Sequence, residues 1–138
     1  MEVIVDVNVI FSSLLGSGNS LNVFALNGLF NNFEFFAPEF LLVELEKHKT
    51  EFLERSKLPE SEFSEVLDFI IEQITLVSES EFSDFISKAK AFLPTHRKDV
   101  PYLALSLKLN CPIFSGDKVL KGLFPDKVLN PKEMLERF

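Results

Sequence analysis

The chain has 138 residues, 46% hydrophobic and 25% charged, with a formal net charge of −7; this suits one domain with its own core, spanning residues 1–138, and leaves no room for two. The acidic balance excludes a protein that coats nucleic acid through a broad basic face, though not an enzyme whose clustered carboxylates await a cation. A single cysteine, Cys111, and two histidines exclude an internal disulfide and a structural zinc site, so any metal is expected on oxygen ligands.

Val3 to Val5 is a continuous β-branched run ending at Asp6, which predicts a strand covered on both faces, as in a parallel sheet. Past the loop Gly16-Ser17-Gly18-Asn19, Ser20 is placed to cap a helix from about Leu21 to Phe30. A strand is expected at Phe33 to Ala37, and Pro38 is placed as the first residue of a long helix reaching about Arg55. Pro59 to Ile74 reads as a helix with Phe63, Val66, Leu67, Ile70 and Ile74 on one face, followed by a weak strand at Thr75 to Val77. Further helices are expected at Glu81 to Phe92 and Asp99 to Leu109, a strand at Pro112 to Ser115, a short helix at Lys118 to Leu123, a brief strand at Lys127 to Leu129 and a last helix opened by Pro131. Strands alternating with helices predict an α/β fold with a parallel sheet covered on both sides. The similar segments at Glu62 and Glu81 each fall at a helix start, where serine and acids are favoured anyway, and make no repeat. Sixteen phenylalanines and no tryptophan predict a core packed largely by Phe, with an oligomer surface as an alternative use for some of them. No apolar run reaches the roughly 18 residues of a membrane span, and the start is unlike a signal peptide, so a soluble cytosolic protein without a membrane partner is expected.

Binding crevices in parallel sheets lie beyond the carboxyl ends of the strands. Asp6 ends the first strand there; its alternative role is an Asx turn that merely stops the strand. Asn8, two residues on, suits either bracing of that turn or contact with a metal-bound water. Glu44 sits in the second turn of the helix after Pro38, about 60° from Leu41 at about 100° per residue, on the border of the stripe Leu41, Leu45, His48 and Phe52. Glu39 and Glu46 point away from that stripe. Asp99 opens a helix and shares its buried stripe with Leu103 and Leu107, so it is either an N-cap or a site residue. Asp117 follows a strand through Gly116 and either caps the next helix or joins the site, with the Ser115 hydroxyl at the same mouth. Carboxylates at close quarters raise one another's pKa unless a cation intervenes, and a hard divalent ion is the natural one. One or two such ions at this crevice would suit phosphodiester hydrolysis.

The segments Val5-Asp6-Val7-Asn8-Val9-Ile10-Phe11-Ser12, Ala37 to Leu45, Lys98 to Leu107 and Pro112-Ile113-Phe114-Ser115-Gly116-Asp117-Lys118 resemble, in order and spacing, the PIN-domain nucleases, among them the VapC toxins of toxin–antitoxin pairs. The resemblance implies a three-layer α/β/α PIN-like fold with sheet order 3-2-1-4-5, and cleavage of single-stranded RNA with Mg²⁺ or Mn²⁺. It further implies a homodimer and a small antitoxin protein as partners. By matching position it assigns Asp6, Glu44, Asp99 and Asp117 to an acidic quartet, with Asp6, Asp99 and Asp117 as metal ligands and Asn8 and Ser115 in support. This chain departs from the pattern at Val7, where the family usually has Thr or Ser, and at Arg97-Lys98, where relatives often carry more acids.

Arg97, Lys98, Lys118 and Lys121 adjoin the site in sequence and are the first candidates for RNA contacts, followed by His48 and Lys49; each also suits plain solvated surface. Cys111 reads as a small core residue and His96 as a solvent histidine. Among rival functions, an aspartate-nucleophile phosphatase needs a second aspartate where Asn8 stands. A phosphoacceptor receiver domain needs an acidic pair at the first strand. A catalytically silent PIN-like module that binds RNA or protein is the remaining alternative.

Overall fold

Val3, Ile4 and Val5 have no exposed surface, as a β-branched strand covered on both faces requires. The structure is a computed structural model that describes residues 1–16 and 18–138; Ser17 of the expected glycine-rich loop lies outside the described residues. Its strands are β1 (Glu2–Val5), β2 (Glu34–Pro38), β3 (Ile74–Val77), β4 (Ile113–Phe114) and β5 (Val128–Leu129), in the order β3-β2-β1-β4-β5. Every pairing is parallel, with Ile4 opposite both Phe36 and Ile113, Phe36 opposite Thr75 and Ile113 opposite Val128.

Helices α1 (Val7–Leu14) and α2 (Ser20–Phe30) link β1 to β2, and α3 (Phe40–Ser56) and α4 (Glu60–Ile71) link β2 to β3. Helices α5 (Glu79–Phe82), α6 (Ile86–Phe92) and α7 (Val100–Leu109) then lead back to β4, α8 (Lys118–Leu123) joins β4 to β5, and α9 (Pro131–Leu135) ends the chain. Right-handed crossovers run outward from β1 to β3 and then reverse, which puts α1 to α4 on one face and α5 to α8 on the other. Accordingly α1 packs on α2, α3 and α4, and α7 crosses β1, β2 and β4. The result is the three-layer α/β/α fold with the expected strand order. Its point of reversal lies between β1 and β4, where open parallel sheets form their crevice.

Phenylalanine dominates the core, as composition predicted. Phe24 sits with its ring 5.3 Å from Phe35 and 5.7 Å from Phe114, and all three are essentially buried. Not every Phe is spent there, since Phe30, Phe69 and Phe92 are exposed.

Five local expectations change. Helix α1 is not signalled by Val7-Asn8-Val9-Ile10, whose β-branched residues favour a strand; burial of Val7, Val9, Ile10 and Leu14 on one side, with Asp6 as N-cap, overrides that propensity. Pro38 closes β2 instead of opening α3, because it lies beyond the last β1 partner of that strand, Phe36, where its missing N–H breaks no ladder bond. Ser20 is the first residue of α2 and Asn19 its cap position. The expected helix from Glu81 is split by a 3₁₀ turn at Ser83–Phe85, which turns both Phe82 and Ala89 into the core. Ile74 likewise belongs to β3 and not to the preceding helix.

Candidate active site

Asp6 leaves β1 directly into the crevice and is only 4% exposed. The Ser115 hydroxyl donates to its Oδ2 at 2.8 Å, and the Asn8 backbone N–H approaches Oδ1 at 3.4 Å. Burial pushes its carboxyl from 3.8 up to about 7; the hydrogen bond from Ser115 opposes this, and the neighbouring Asp99 and Glu44 add to it. Asn8 laces the exit of β1 to that of β4, its Nδ2 donating to Ser115 Oγ at 3.3 Å and its Oδ1 accepting from Gly116 N at 3.2 Å. Of its two expected uses, the structure therefore shows the bracing one. Ser115 Oγ also accepts from Asp117 N at 3.0 Å, so one buried hydroxyl ties Asp6, Asn8 and Asp117 together.

Glu44 is buried, in keeping with its place on the border of the α3 stripe. The Tyr102 hydroxyl donates to its Oε1 at 2.6 Å. Burial raises its carboxyl above the ordinary range, Tyr102, Lys98 and His48 oppose that, and Asp99 reinforces it. Tyr102 went unnoticed in the sequence; the available signal was its spacing of three residues from Asp99 on a helix face. The same burial and the Glu44 carboxylate raise the phenol well above its usual range.

Asp99 stands at the start of α7 without a side-chain capping bond, so its carboxylate is not consumed as a cap. Burial raises it, Asp117 adds to the rise and His96 counters it. His96, half-buried beside Asp99, makes no side-chain hydrogen bond among the described residues. Asp117 does cap, its Oδ1 accepting from Val119 N at 2.8 Å and Leu120 N at 3.2 Å. The four acids are linked in one field, Asp117 to Asp99, and Asp99 to both Asp6 and Glu44. The amino ends of α1, α3 and α7 meet them on this edge, and their dipoles partly offset the negative charge.

Of the basic candidates, Arg97, Lys98 and Lys118 are exposed. Lys121 is committed elsewhere: its Nζ donates to Pro125 O, Val128 O and Glu133 Oε2 at 3.0, 2.7 and 3.1 Å. Its amine thus clamps the turn into β5 to α9, a use that sequence proximity to the site did not suggest. His48 packs edge-on to Phe11 at 5.8 Å, and Cys111 is buried as expected. Val7 is buried and apolar, so it brings no hydroxyl to the crevice.

Among the described residues, no three His, Cys, Asp or Glu side chains form a ready-made metal cage. The donor set nevertheless suits a hard divalent cation. It is all oxygen, and Asp6 is a buried carboxyl facing two more acids, a repulsion that such a cation relieves. Among the described residues, no helix is long and apolar enough to cross a membrane.

A family model described as PIN domain matches residues 4–134. Comparison with curated proteins found no match. Among solved structures, a chain in the crystal structure of VapBC2 from Rickettsia felis bound to a DNA fragment from their promoter is similar, with a TM-score of 0.69 at 11% identity over 94% of this chain and 98% of that one. At that identity the likeness shows the fold.

Proposed function

The chain belongs to the PIN-domain family, and on that premise we propose that it is a divalent-metal-dependent endoribonuclease that cleaves single-stranded RNA. One observation carries the reading: a buried aspartate, Asp6, pushed up to about 7 beside Asp99 and Glu44 at the switch point of the sheet. Asp6, Asp99 and Asp117 would hold one or two Mg²⁺ or Mn²⁺ ions. When bound, the cation lowers the pKa of a water and stabilises charge on the attacking and leaving oxygens of the phosphodiester.

The chain's own residues prepare that site. Ser115 and Asn8 fix the Asp6 carboxylate against rotation, so its position is set before a cation arrives. Tyr102 holds one oxygen of Glu44 and leaves the other free to accept a proton or orient a water. Arg97, Lys98 and Lys118 meet the phosphates on either side of the cut. The similarity to a chain of a VapBC2 complex supports a toxin of a toxin–antitoxin pair, with an antitoxin as partner; action as a homodimer in the cytoplasm is what the resemblance to the family implies. A second reading, a PIN-like module that binds without cutting, is favoured by one residue, the buried Val7 in place of a hydroxyl.

The test is incubation of purified protein with labelled single-stranded RNA and Mn²⁺. Internal cleavage that EDTA stops and Asp6→Asn abolishes is expected. Unchanged cleavage by Asp6→Asn would remove the assigned centre, and binding without cleavage by the parent protein would favour the silent module.

A further inference from the structure

A cavity of about 600 Å³ opens beside the candidate site between α6 and the start of α7, within the roughly 300–1,000 Å³ of small-ligand sites. Its apolar walls are Ile86, Leu93, Pro94 and Pro101, and it holds two cations, Lys90 and Arg97, and one acid, Glu79. Two cations lining one cavity stand out on a chain of net charge −7. Arg97 also lines an adjoining crevice with Thr95, His96, Lys98 and Asp99, so the cavity neighbours the acidic centre on the Asp99 side.

We infer that this cavity is a subsite for one nucleotide of the single-stranded RNA next to the cleaved bond, an inference that rests on the ribonuclease reading. The nucleotide's phosphate sits between Lys90 and Arg97. Its base lies against the proline and leucine walls, where the guanidinium plane of Arg97 is also open to stacking. An unstacked strand can supply such a base and a duplex cannot. Glu79 accepts hydrogen bonds only, so it favours a base with an exocyclic amino group. Uracil, whose single N–H is flanked by two carbonyl oxygens, is disfavoured there. Apolar walls alone would equally suit a protein side chain, but paired cations beside a phosphodiester-cleaving centre favour RNA.

The experiment is fluorescence anisotropy of labelled oligo(A) and oligo(U) with the full chain in EDTA, titrated with salt, so that affinity is read without turnover. The parent protein is expected to prefer oligo(A) by about fivefold. Lys90→Ala and Arg97→Ala should each weaken both ligands and each flatten the slope of log affinity against log salt by about 0.7. Glu79→Gln, which can donate to uracil, should erase the preference, and Ile86→Trp should block the pocket and lower affinity for oligo(A). Lys90 and Glu79 are exposed, so their variants keep the fold even where a filled pocket does not. An unchanged salt slope in Lys90→Ala together with an unchanged base preference in Glu79→Gln would overturn the subsite and leave a polypeptide side chain as its occupant. Binding with this signature but no metal-dependent cleavage would remove the nuclease reading alone, whereas cleavage with unaltered variants would remove the subsite alone.

Discussion

Replacing Asp6 by Asn is expected to stabilise the metal-free fold at about pH 8 and to do so far less at about pH 5. In the native state burial pushes the Asp6 carboxyl from 3.8 up to about 7, while the unfolded chain titrates it near its ordinary value. Between those limits the folded protein retains a proton that the unfolded chain has lost. Stability therefore falls as pH rises from about 4 to about 7 and stays low above that. A difference of about three pH units is worth about 4 kcal/mol. The amide reproduces the contacts with Ser115 and Asn8 imperfectly, at a cost of about 1–2 kcal/mol. A net gain of about 2–3 kcal/mol remains at about pH 8, or a rise in Tm of about 6–10 °C for a domain of this size. At about pH 5 more than half of the carboxylate penalty is already gone, and the variant loses most of its advantage. Thermal melts followed by circular dichroism in EDTA read both points. Saturating Mn²⁺ should raise the Tm of the parent protein, and much less that of the variant, because only the native carboxylate cluster binds it tightly. A variant no more stable than its parent at about pH 8, or equally more stable at both pH values, would refute the assignment of a buried, cation-seeking Asp6.

Tyr102→Phe removes the 2.6 Å bond to Glu44 and should lower kcat about tenfold with KM little changed. Because that bond holds the Glu44 carboxyl down, its loss should also move the acid limb of the pH–rate profile upward. Phe114→Ala empties a fully buried position between Phe24 and Phe35 and should cost about 3–5 kcal/mol in urea denaturation. Lys121→Ala should cost about 1 kcal/mol by releasing the clamp on Glu133 and two carbonyls, a pair about one-third exposed. The salt dependence of its RNA binding should stay that of the parent; a flatter slope would make Lys121 an RNA contact after all.

The layers and the positions of most elements were legible because buried parallel strands and amphipathic helices have different periods. Strand order came only through the resemblance to a family. Helix α1 was hidden because Val7, Val9 and Ile10 favour extended backbone locally and become helical only once α2, α3 and α4 bury them. Pro38 misled because the ring that suits a helix's first turn also suits a strand's last residue. At the candidate site, strand ends, helix starts and the α3 stripe marked the four acids as candidates and the resemblance grouped them, but their local duties could not be separated. Asp117 caps a helix and belongs to the crevice at once, whereas Asp99 makes no capping bond. Tyr102 was missed because its role arises from Glu44, a neighbour distant in sequence. The clamp made by Lys121 was not legible for the same reason, since its acceptors lie on segments that the chain brings back later.

The central claim is that these carboxylates hold a metal that cuts RNA, and Asp99 tests it most directly because its side chain makes no capping bond. Asp99→Asn should keep the parent's circular dichroism spectrum and lose Mn²⁺-dependent cleavage of single-stranded RNA by at least about a hundredfold. A folded Asp99→Asn protein that cleaves at the parent rate would contradict the account.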